Sequence, residues 1–154
     1  PMLRQARTLS SEETKDLTQL ESIWYEGDIG NDEHYNWTRY YALNLHSVFY
    51  RGTVEWRCFN STLHAGRAAA YVDLCLAISA QAIAQRSTVM RKTRSDNELF
   101  TFRVWLVRLG LNGDEFKHTR DHLLANLEGD RAWRYDKDSY AVNRKKKKQR
   151  EAER

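Results

Sequence analysis

The sequence predicts an α+β fold in which an antiparallel β-hairpin or small sheet is covered by three or four amphipathic helices. Two adjacent segments near the middle of the chain have the residue types of strands, and three longer segments after them repeat apolar residues at helical spacing. A length of 154 residues, with 41% hydrophobic and 30% charged residues, suits one soluble domain with its own core.

The predicted hairpin is formed by residues 41–49, which alternate in character, and residues 53–59, which are rich in β-branched and aromatic side chains. A short connection that includes a glycine joins them. A two-residue loop would place Asn44 and His46 on the same face as Glu55. A three-residue loop would instead bring Leu45 and Ser47 to that face.

A first helix is predicted from the capping box of Ser10 and Glu13 to about Trp24, and turn-forming residues crowd positions 27–32 after it.

Three further helices are predicted in the second half of the chain. They cover residues 65 to about 85, residues from the capping box of Ser95 and Glu98 to about Gly110, and residues 114–128 before Gly129. Their expected core-facing residues are Ala68, Val72, Cys75, Ser79, Ala82 and Ile83 in the first, Leu99, Phe102, Leu106 and Leu109 in the second, and Phe116, Leu123, Leu124 and Leu127 in the third.

The formal net charge of +4 belongs to the last eleven residues, 144–154, which carry seven Lys or Arg and two Glu. The remaining 18 basic and 19 acidic residues leave the rest of the chain at −1. A basic patch on the folded surface is therefore not expected, and the tail is expected to be a solvated charge run rather than a nucleic-acid contact.

Other features of the sequence predict a cytoplasmic protein without a membrane partner. No apolar run approaches the roughly 20 residues of a membrane-spanning helix, and residues 1–10 lack the apolar core of a secretory signal. Cys58 and Cys75 lie within apolar segments without metal-ligand spacing, which predicts buried free thiols.

Glu55 and Arg57 stand two residues apart on the second predicted strand, so their side chains share one face, while Val54, Trp56 and Cys58 form an apolar face expected to pack on helices. A carboxylate beside a guanidinium suits an active-site sheet, with Glu55 as a Mg²⁺ ligand and Arg57 as a phosphate contact. The same spacing fits a solvent-facing salt bridge on an edge strand, and spacing alone favours this second interpretation.

Three stretches of the sequence resemble those of a known family. They are R-Y-Y-A-L-N-L at residues 39–45, T-V-E-W-R-C-F-N-S-T-L at residues 53–63, and L-G-L-N-G-D-E-F at residues 109–116 with Arg120, Leu123, Leu124, Gly129 and Asp130. Together they resemble the C-terminal part of the amidoligase family over about residues 36–135, and the second stretch is the most specific.

That family is similar in fold to glutamine synthetase and glutamate–cysteine ligase, so the resemblance implies the C-terminal part of such a fold. It also implies an enzyme that uses ATP and Mg²⁺ to phosphorylate a carboxylate, after which an amine attacks the acyl phosphate. The implied partners are small-molecule or peptide carboxylates and amines.

The resemblance assigns roles to individual residues. It implies that Glu55 is a metal ligand and that Arg57 stabilises the transferring phosphoryl group. The further substrate- or ATP-binding candidates, which occupy recurring positions of the family, are Arg39, Asn44, Asn60 and Thr62.

Family members begin with a strand that carries paired carboxylates, and no such strand precedes Ser10 here. A lone Glu55 cannot build a magnesium site that grips a nucleotide. The chain is therefore expected to be a fragment, a split half or a truncated product, inactive without a missing N-terminal half or partner subunit.

Three regions are predicted on this basis. Residues 1–35 form an N-terminal helix and loop, residues 36–135 the amidoligase-like region, and residues 136–154 a basic tail expected to be disordered. The rival hypothesis is a non-catalytic α+β module from a mobile element, which binds a protein or nucleic acid through its tail and uncovered sheet.

Overall fold

A computed structural model of the chain describes residues 17–27, 35–89, 91–135 and 137–152. These residues contain six α-helices and a two-stranded antiparallel sheet, which confirms the predicted α+β class. The elements are α1 (Leu17–Trp24), a 3₁₀ helix (Trp37–Tyr40), β1 (Leu43–Asn44), α2 (His46–Arg51), β2 (Glu55–Trp56), α3 (Ala65–Ala84), α4 (Glu98–Arg108), α5 (Lys117–Leu124) and α6 (Lys137–Ala152).

The described residues form two compact units. The first contains those within Pro1–Ser61 and Ala82–Lys92, and the second contains those within Thr62–Gln81 and Thr93–Arg154.

The core of the first unit is built from aromatic and polar side chains together. Trp24, at the end of α1, is buried, and its indole N–H donates to Thr38 Oγ1 at 2.9 Å. The Trp24 ring meets Tyr41 edge-on, with centroids 5.3 Å apart. Asn36 caps the 3₁₀ helix by accepting a bond from the Thr38 amide at 2.9 Å. These contacts tie α1 to the segment that leads into β1.

The first helix ends at Trp24 as predicted. Its predicted capping box, Ser10 with Glu13, lies outside the described residues, as do positions 28–32 of the predicted turn.

The predicted strand over residues 41–49 is wrong in its second half. Only Leu43–Asn44 pairs as a strand, and His46–Arg51 forms α2. Gly52 ends this helix in the left-handed conformation (φ 70°, ψ 22°), and its amide N–H donates to the Val48 carbonyl at 2.9 Å. Glycine takes this conformation without the steric cost of a Cβ, so it suits a helix end as well as a hairpin loop.

The observed sheet register differs from both predicted ones, because α2 occupies the connection. Leu43 pairs with Trp56 and Asn44 with Glu55. The Arg57 amide N–H then donates to the Ala42 carbonyl at 2.8 Å. Asn44 still shares a face with Glu55, which the two-residue loop had predicted for a different register.

The face of β2 predicted to pack on helices is largely exposed. Val54 is 52% exposed and Cys58 is also exposed, while Trp56 is half-buried. Both Cys58 and Cys75 are free thiols as expected, but the predicted burial of Cys58 is wrong and Cys75 is only half-buried. The sheet has two residues in each strand, too little to shield a whole face.

The core of the second unit is mainly leucine. One polar contact is added to this core, because Asp73 of α3 accepts a hydrogen bond from the Thr119 hydroxyl of α5 at 2.5 Å. This bond links the two helices. The buried apolar residues of this unit are Ala70, Leu74, Leu99, Leu106, Leu109, Leu111 and Leu124.

The core-facing side of α3 was predicted wrongly. Its buried residues are Ala70 and Leu74, whereas the predicted face includes Val72, 57% exposed, and Ile83, 88% exposed. Because α3 is apolar on more than one side, its sequence periodicity does not identify the buried side.

Among the described helices, α3 is long and apolar enough by length and composition to cross a membrane, with a mean hydropathy of 1.2 over an 18-residue window. The expectation that no apolar run approaches this length is therefore wrong. One such helix is weak evidence for a membrane, since soluble proteins contain helices of the same composition. In the structure, 11% of this 18-residue stretch is buried.

Helix α4 begins at a different cap from the predicted one. Asn97 Oδ1 accepts a bond from the Phe100 amide at 2.9 Å, whereas the Ser95 hydroxyl donates to the Asn97 carbonyl. Its predicted apolar face holds, with Leu99, Leu106 and Leu109 buried and Phe102 half-buried.

The last two helices differ from expectation, one in its length and the other in being helical at all. Helix α5 covers Lys117–Leu124, which is shorter than the predicted residues 114–128. The basic segment expected to be disordered forms α6 over Lys137–Ala152. Lysine, arginine, glutamine and alanine are good helix formers, so this composition favours a helix even without a buried face.

Candidate active site

The first unit contains a cavity of about 350 Å³ beside the two-stranded sheet. β1 and β2 contribute a facing pair of polar side chains, and α2 forms another part of the wall. The lining residues are Arg39, Asn44, His46, Ser47, Arg51, Thr53, Val54 and Glu55.

Glu55 is held in this cavity by Asn44, its partner in the sheet. The Asn44 side-chain amide donates to Glu55 Oε2 at 2.6 Å and to Ser47 Oγ at 3.1 Å. The Ser47 hydroxyl donates to the same Glu55 oxygen at 3.4 Å. Asn44 is 2% exposed and Glu55 has a side chain that is 48% exposed, so a buried amide fixes an accessible carboxylate.

These contacts favour the ionised form of Glu55. The hydrogen bond from Asn44 is the main cause that lowers the pKa of Glu55 below its usual range, because it stabilises the charged form. Partial desolvation opposes this shift, whereas the charges of Arg57 and Arg39 and the hydrogen bond from Ser47 reinforce it. A carboxylate in this state is ready to bind a cation.

Arg57 lies beside Glu55, with Nη1 3.4 Å from Oε1, and is not among the residues lining the cavity. Its guanidinium also lies over the Tyr40 ring, 5.4 Å from the centroid. The ion pair of the salt-bridge interpretation is thus present. It involves Oε1, while Asn44 and Ser47 bind Oε2.

Arg39 reaches the cavity from the 3₁₀ helix. Its guanidinium lies 5.3 Å from the Tyr35 ring centroid and 5.7 Å from that of Tyr40. Tyr40 therefore contacts both Arg39 and Arg57 by cation–π attraction. Arg51, at the end of α2, is a second cationic residue in the cavity lining.

The oxygen atoms around Glu55 suit a hard cation such as Mg²⁺. Asn44 Oδ1 is buried and has no hydrogen-bond partner within the described part of the chain. No group of three or more His, Cys, Asp or Glu side chains among the described residues could hold a metal. Because Mg²⁺ usually keeps several waters and binds one or two carboxylates plus substrate phosphates, Glu55 with Asn44 fits this kind of site.

The family model described as "Putative amidoligase enzyme" matches residues 2–79, half of the chain. This match includes both strands, α2 and every residue that lines the cavity. The chain belongs to this family. No curated protein and no solved structure matches it.

Membership in the amidoligase family confirms the predicted resemblance and indicates a ligase. The matched residues contain the first two stretches that carried the resemblance, at residues 39–45 and 53–63. The third stretch, at residues 109–116, lies outside the match.

Three of the predicted site residues of this amidoligase-family chain do not line the cavity, and Arg57 is one of them. Asn60 is exposed, and Thr62 accepts a bond from the His64 amide at 3.1 Å just before α3 begins. The Thr62 contact is local and orders the entry to the helix. The cavity does include Arg39, Asn44 and Glu55 from the predicted set.

Ser47, Arg51 and Thr53 were not predicted for the site, and His46 was predicted only to share a face with Glu55. Helix α2 accounts for most of this difference, because its turn brings Ser47 to the same cavity as Asn44. An alternating strand would place those two residues on opposite faces. Gly52 was the signal in the sequence that could have revealed these residues, had it been interpreted as the end of a helix.

Proposed function

We propose that this chain contributes the cavity around Glu55 to a ligase that uses ATP and Mg²⁺ to join a carboxylate to an amine. The observation that carries the proposal is the ionised Glu55, fixed by Asn44 in a cavity that is also lined by Arg39 and Arg51. A fixed carboxylate supplies a cation ligand, and arginine suits phosphate oxygens.

The proposed reaction has two steps. A carboxylate oxygen of the substrate attacks the γ-phosphorus of ATP, and the bond to ADP breaks. The amine nitrogen then attacks the carbonyl carbon of the acyl phosphate, inorganic phosphate leaves, and the nitrogen loses a proton. Mg²⁺, when bound, neutralises charge on the phosphate oxygens.

The residues of this chain bind and orient the phosphates in that reaction. Glu55 and Asn44 would hold the cation, and Arg39 and Arg51 would contact the phosphates. Arg57, whose guanidinium is 3.4 Å from Glu55, stabilises the phosphoryl group during transfer. The amidoligase family match supports a ligase activity in general terms, through its description as an enzyme.

The experiment is calorimetric titration of the chain with ATP, with and without Mg²⁺. We expect Glu55→Gln to weaken Mg²⁺-dependent binding about tenfold or more, because the amide keeps the shape but loses the charge. Arg57→Lys keeps the charge and loses the planar two-pronged contact, so it should weaken the binding of ATP in the same titration.

The matched control is Glu115→Gln, which removes one exposed carboxylate from the second unit. Equal affinity of wild type, Glu55→Gln and Glu115→Gln for Mg²⁺ and ATP would contradict the proposal. The salt bridge of Glu55 and Arg57 would then be a structural feature, as the non-catalytic hypothesis expects.

A further inference from the structure

We propose that Tyr25 and His46 form a positioning pair that holds the α2 wall of the cavity in place for the phosphate groups of its ligand. The inference rests on the proposed function in so far as the ligand is a phosphate compound. It adds two residues that neither the family signature nor the sequence pattern had singled out for binding.

The pair is a buried polar contact across 21 positions of the chain. The Tyr25 hydroxyl and His46 Nδ1 are hydrogen-bonded. Tyr25 is 7% exposed and His46 is 3% exposed, so neither group can easily exchange this bond for water. The two rings also meet edge-on with centroids 5.9 Å apart. A buried hydrogen bond of this kind is costly to break, because each group would lose its partner away from water.

Tyr25 contacts α2 at a second place. Its ring lies 5.6 Å from the Phe49 ring, one turn after His46. Tyr25 directly follows α1, so α2 is attached to the end of α1 by one side chain at two points.

His46 connects this attachment to the cavity. It is the first residue of α2 and lines the cavity itself, together with Ser47 and Arg51 of the same helix. A helix of six residues has little stability of its own, so contacts at its ends decide where it lies. The Tyr25 contact is at its beginning, and Gly52 caps its end.

The Tyr25 hydroxyl therefore has a specific role in the cavity, although Tyr25 does not line it. The position of Arg51, and of Ser47 against Glu55, depends on the direction in which α2 leaves His46. Loss of the Tyr25 hydroxyl should therefore weaken the binding of phosphate compounds while the aromatic packing remains.

The test measures pyrophosphate and Mg²⁺–ATP binding by titration calorimetry on wild type and four variants of the full chain. Tyr25→Phe removes the hydroxyl and keeps both ring contacts. Tyr41→Phe is the matched control, since this ring packs on Trp24 and Trp37 in the same unit. We expect about a tenfold loss of pyrophosphate affinity for Tyr25→Phe and no loss for Tyr41→Phe.

Two substitutions of His46 keep the test decisive even if Tyr25→Phe does not fold. The Oδ1 atom of asparagine can lie where Nδ1 of histidine lies, so His46→Asn should retain the Tyr25 bond and lose less pyrophosphate affinity than His46→Gln. The amide of glutamine reaches the region of Nε2, so His46→Gln should lose affinity. If the Tyr25–His46 pair had a purely structural role, pyrophosphate affinity would fall together with the thermal unfolding midpoint in all variants.

The outcomes separate this inference from the proposed function. Wild-type affinity in Tyr25→Phe and His46→Gln, or no pyrophosphate binding by wild type, overturns the positioning pair. Weak binding by His46→Asn with normal binding by Tyr25→Phe also overturns it, since the imidazole alone would then matter. Pyrophosphate binding with the expected variant order, but no Mg²⁺-dependent ATP binding, supports the pair and contradicts the proposed function.

Discussion

Glu55 has two differently bound oxygen atoms, and this asymmetry is the main feature of the site. Oε2 accepts bonds from Asn44 at 2.6 Å and Ser47 at 3.4 Å, while Oε1 faces Arg57 at 3.4 Å. The shorter bond comes from a buried amide and the longer contacts from more exposed groups. A cation that approaches Oε1 therefore competes with the ion pair between Glu55 and Arg57. An exposed ion pair is a weak interaction.

The pKa of Glu55 should rise when Asn44 is replaced. In the folded chain this pKa is lowered, chiefly by the Asn44 bond. The stabilisation is therefore present above the pKa of an unfolded glutamate and is lost as the pH falls through the lowered value. We expect Asn44→Ala to shift the pKa of Glu55 toward its ordinary range. Carbon-13 NMR of the Glu55 carboxyl group, recorded as a function of pH, measures this shift.

Ser47→Ala is the control for that titration. Ser47 contributes less than Asn44 to the lowered pKa of Glu55, so its removal should give a smaller rise. A Glu55 titration that is the same in wild type and Asn44→Ala would show that the amide bond does not hold the carboxylate in solution.

At the scale of elements, the sequence predicted Glu55, Arg57 and Asn44 for the candidate site but did not predict the α2 wall. Alternation over residues 53–59 correctly placed Glu55 on β2, and Asn44 falls on the facing strand in the observed register. The segment from His46 to Arg51 was missed because six residues are too few for a helical period to separate from a strand period. Long helices with a leucine face, such as α4, were predicted well for the opposite reason.

Gly52 should be required for the end of α2. It has φ 70°, and a Cβ built on it would meet nothing within 4 Å, so backbone strain is the sole cost of a side chain. We expect Gly52→Ala to reduce the free energy of unfolding by about 1–2 kcal/mol, measured in urea. Gly52→Asn should lose less, because asparagine tolerates the left-handed region better. Equal stability of Gly52→Ala and wild type would contradict the observed helix end.

At the scale of the molecule, the excess positive charge and the candidate site are in different parts of the chain. The cavity lies in the first unit, and α6, with most of the excess positive charge, belongs to the second. The described side chains of α6 are exposed, including Val142 and Arg144. Nothing in its composition requires burial, which explains why sequence patterns predicted no fixed structure there.

Removal of residues 144–154 should leave the thermal midpoint nearly unchanged. Helix α6 loses its second half in this variant, but the described side chains lost are solvent-exposed. Differential scanning calorimetry of the full and shortened chains makes the comparison. A drop of many degrees would show that α6 is bound to the folded part through contacts beyond those described.

The most direct test of the Glu55 site is paramagnetic NMR with Mn²⁺ and ATP, since Mn²⁺ accepts the same oxygen ligands as Mg²⁺. We expect the amide signals of Asn44, Arg51 and Glu55 to broaden first, and this selective broadening to disappear in Glu55→Gln. Broadening that is equally strong at Glu115, or that is unchanged in Glu55→Gln, would contradict a cation-binding role for Glu55.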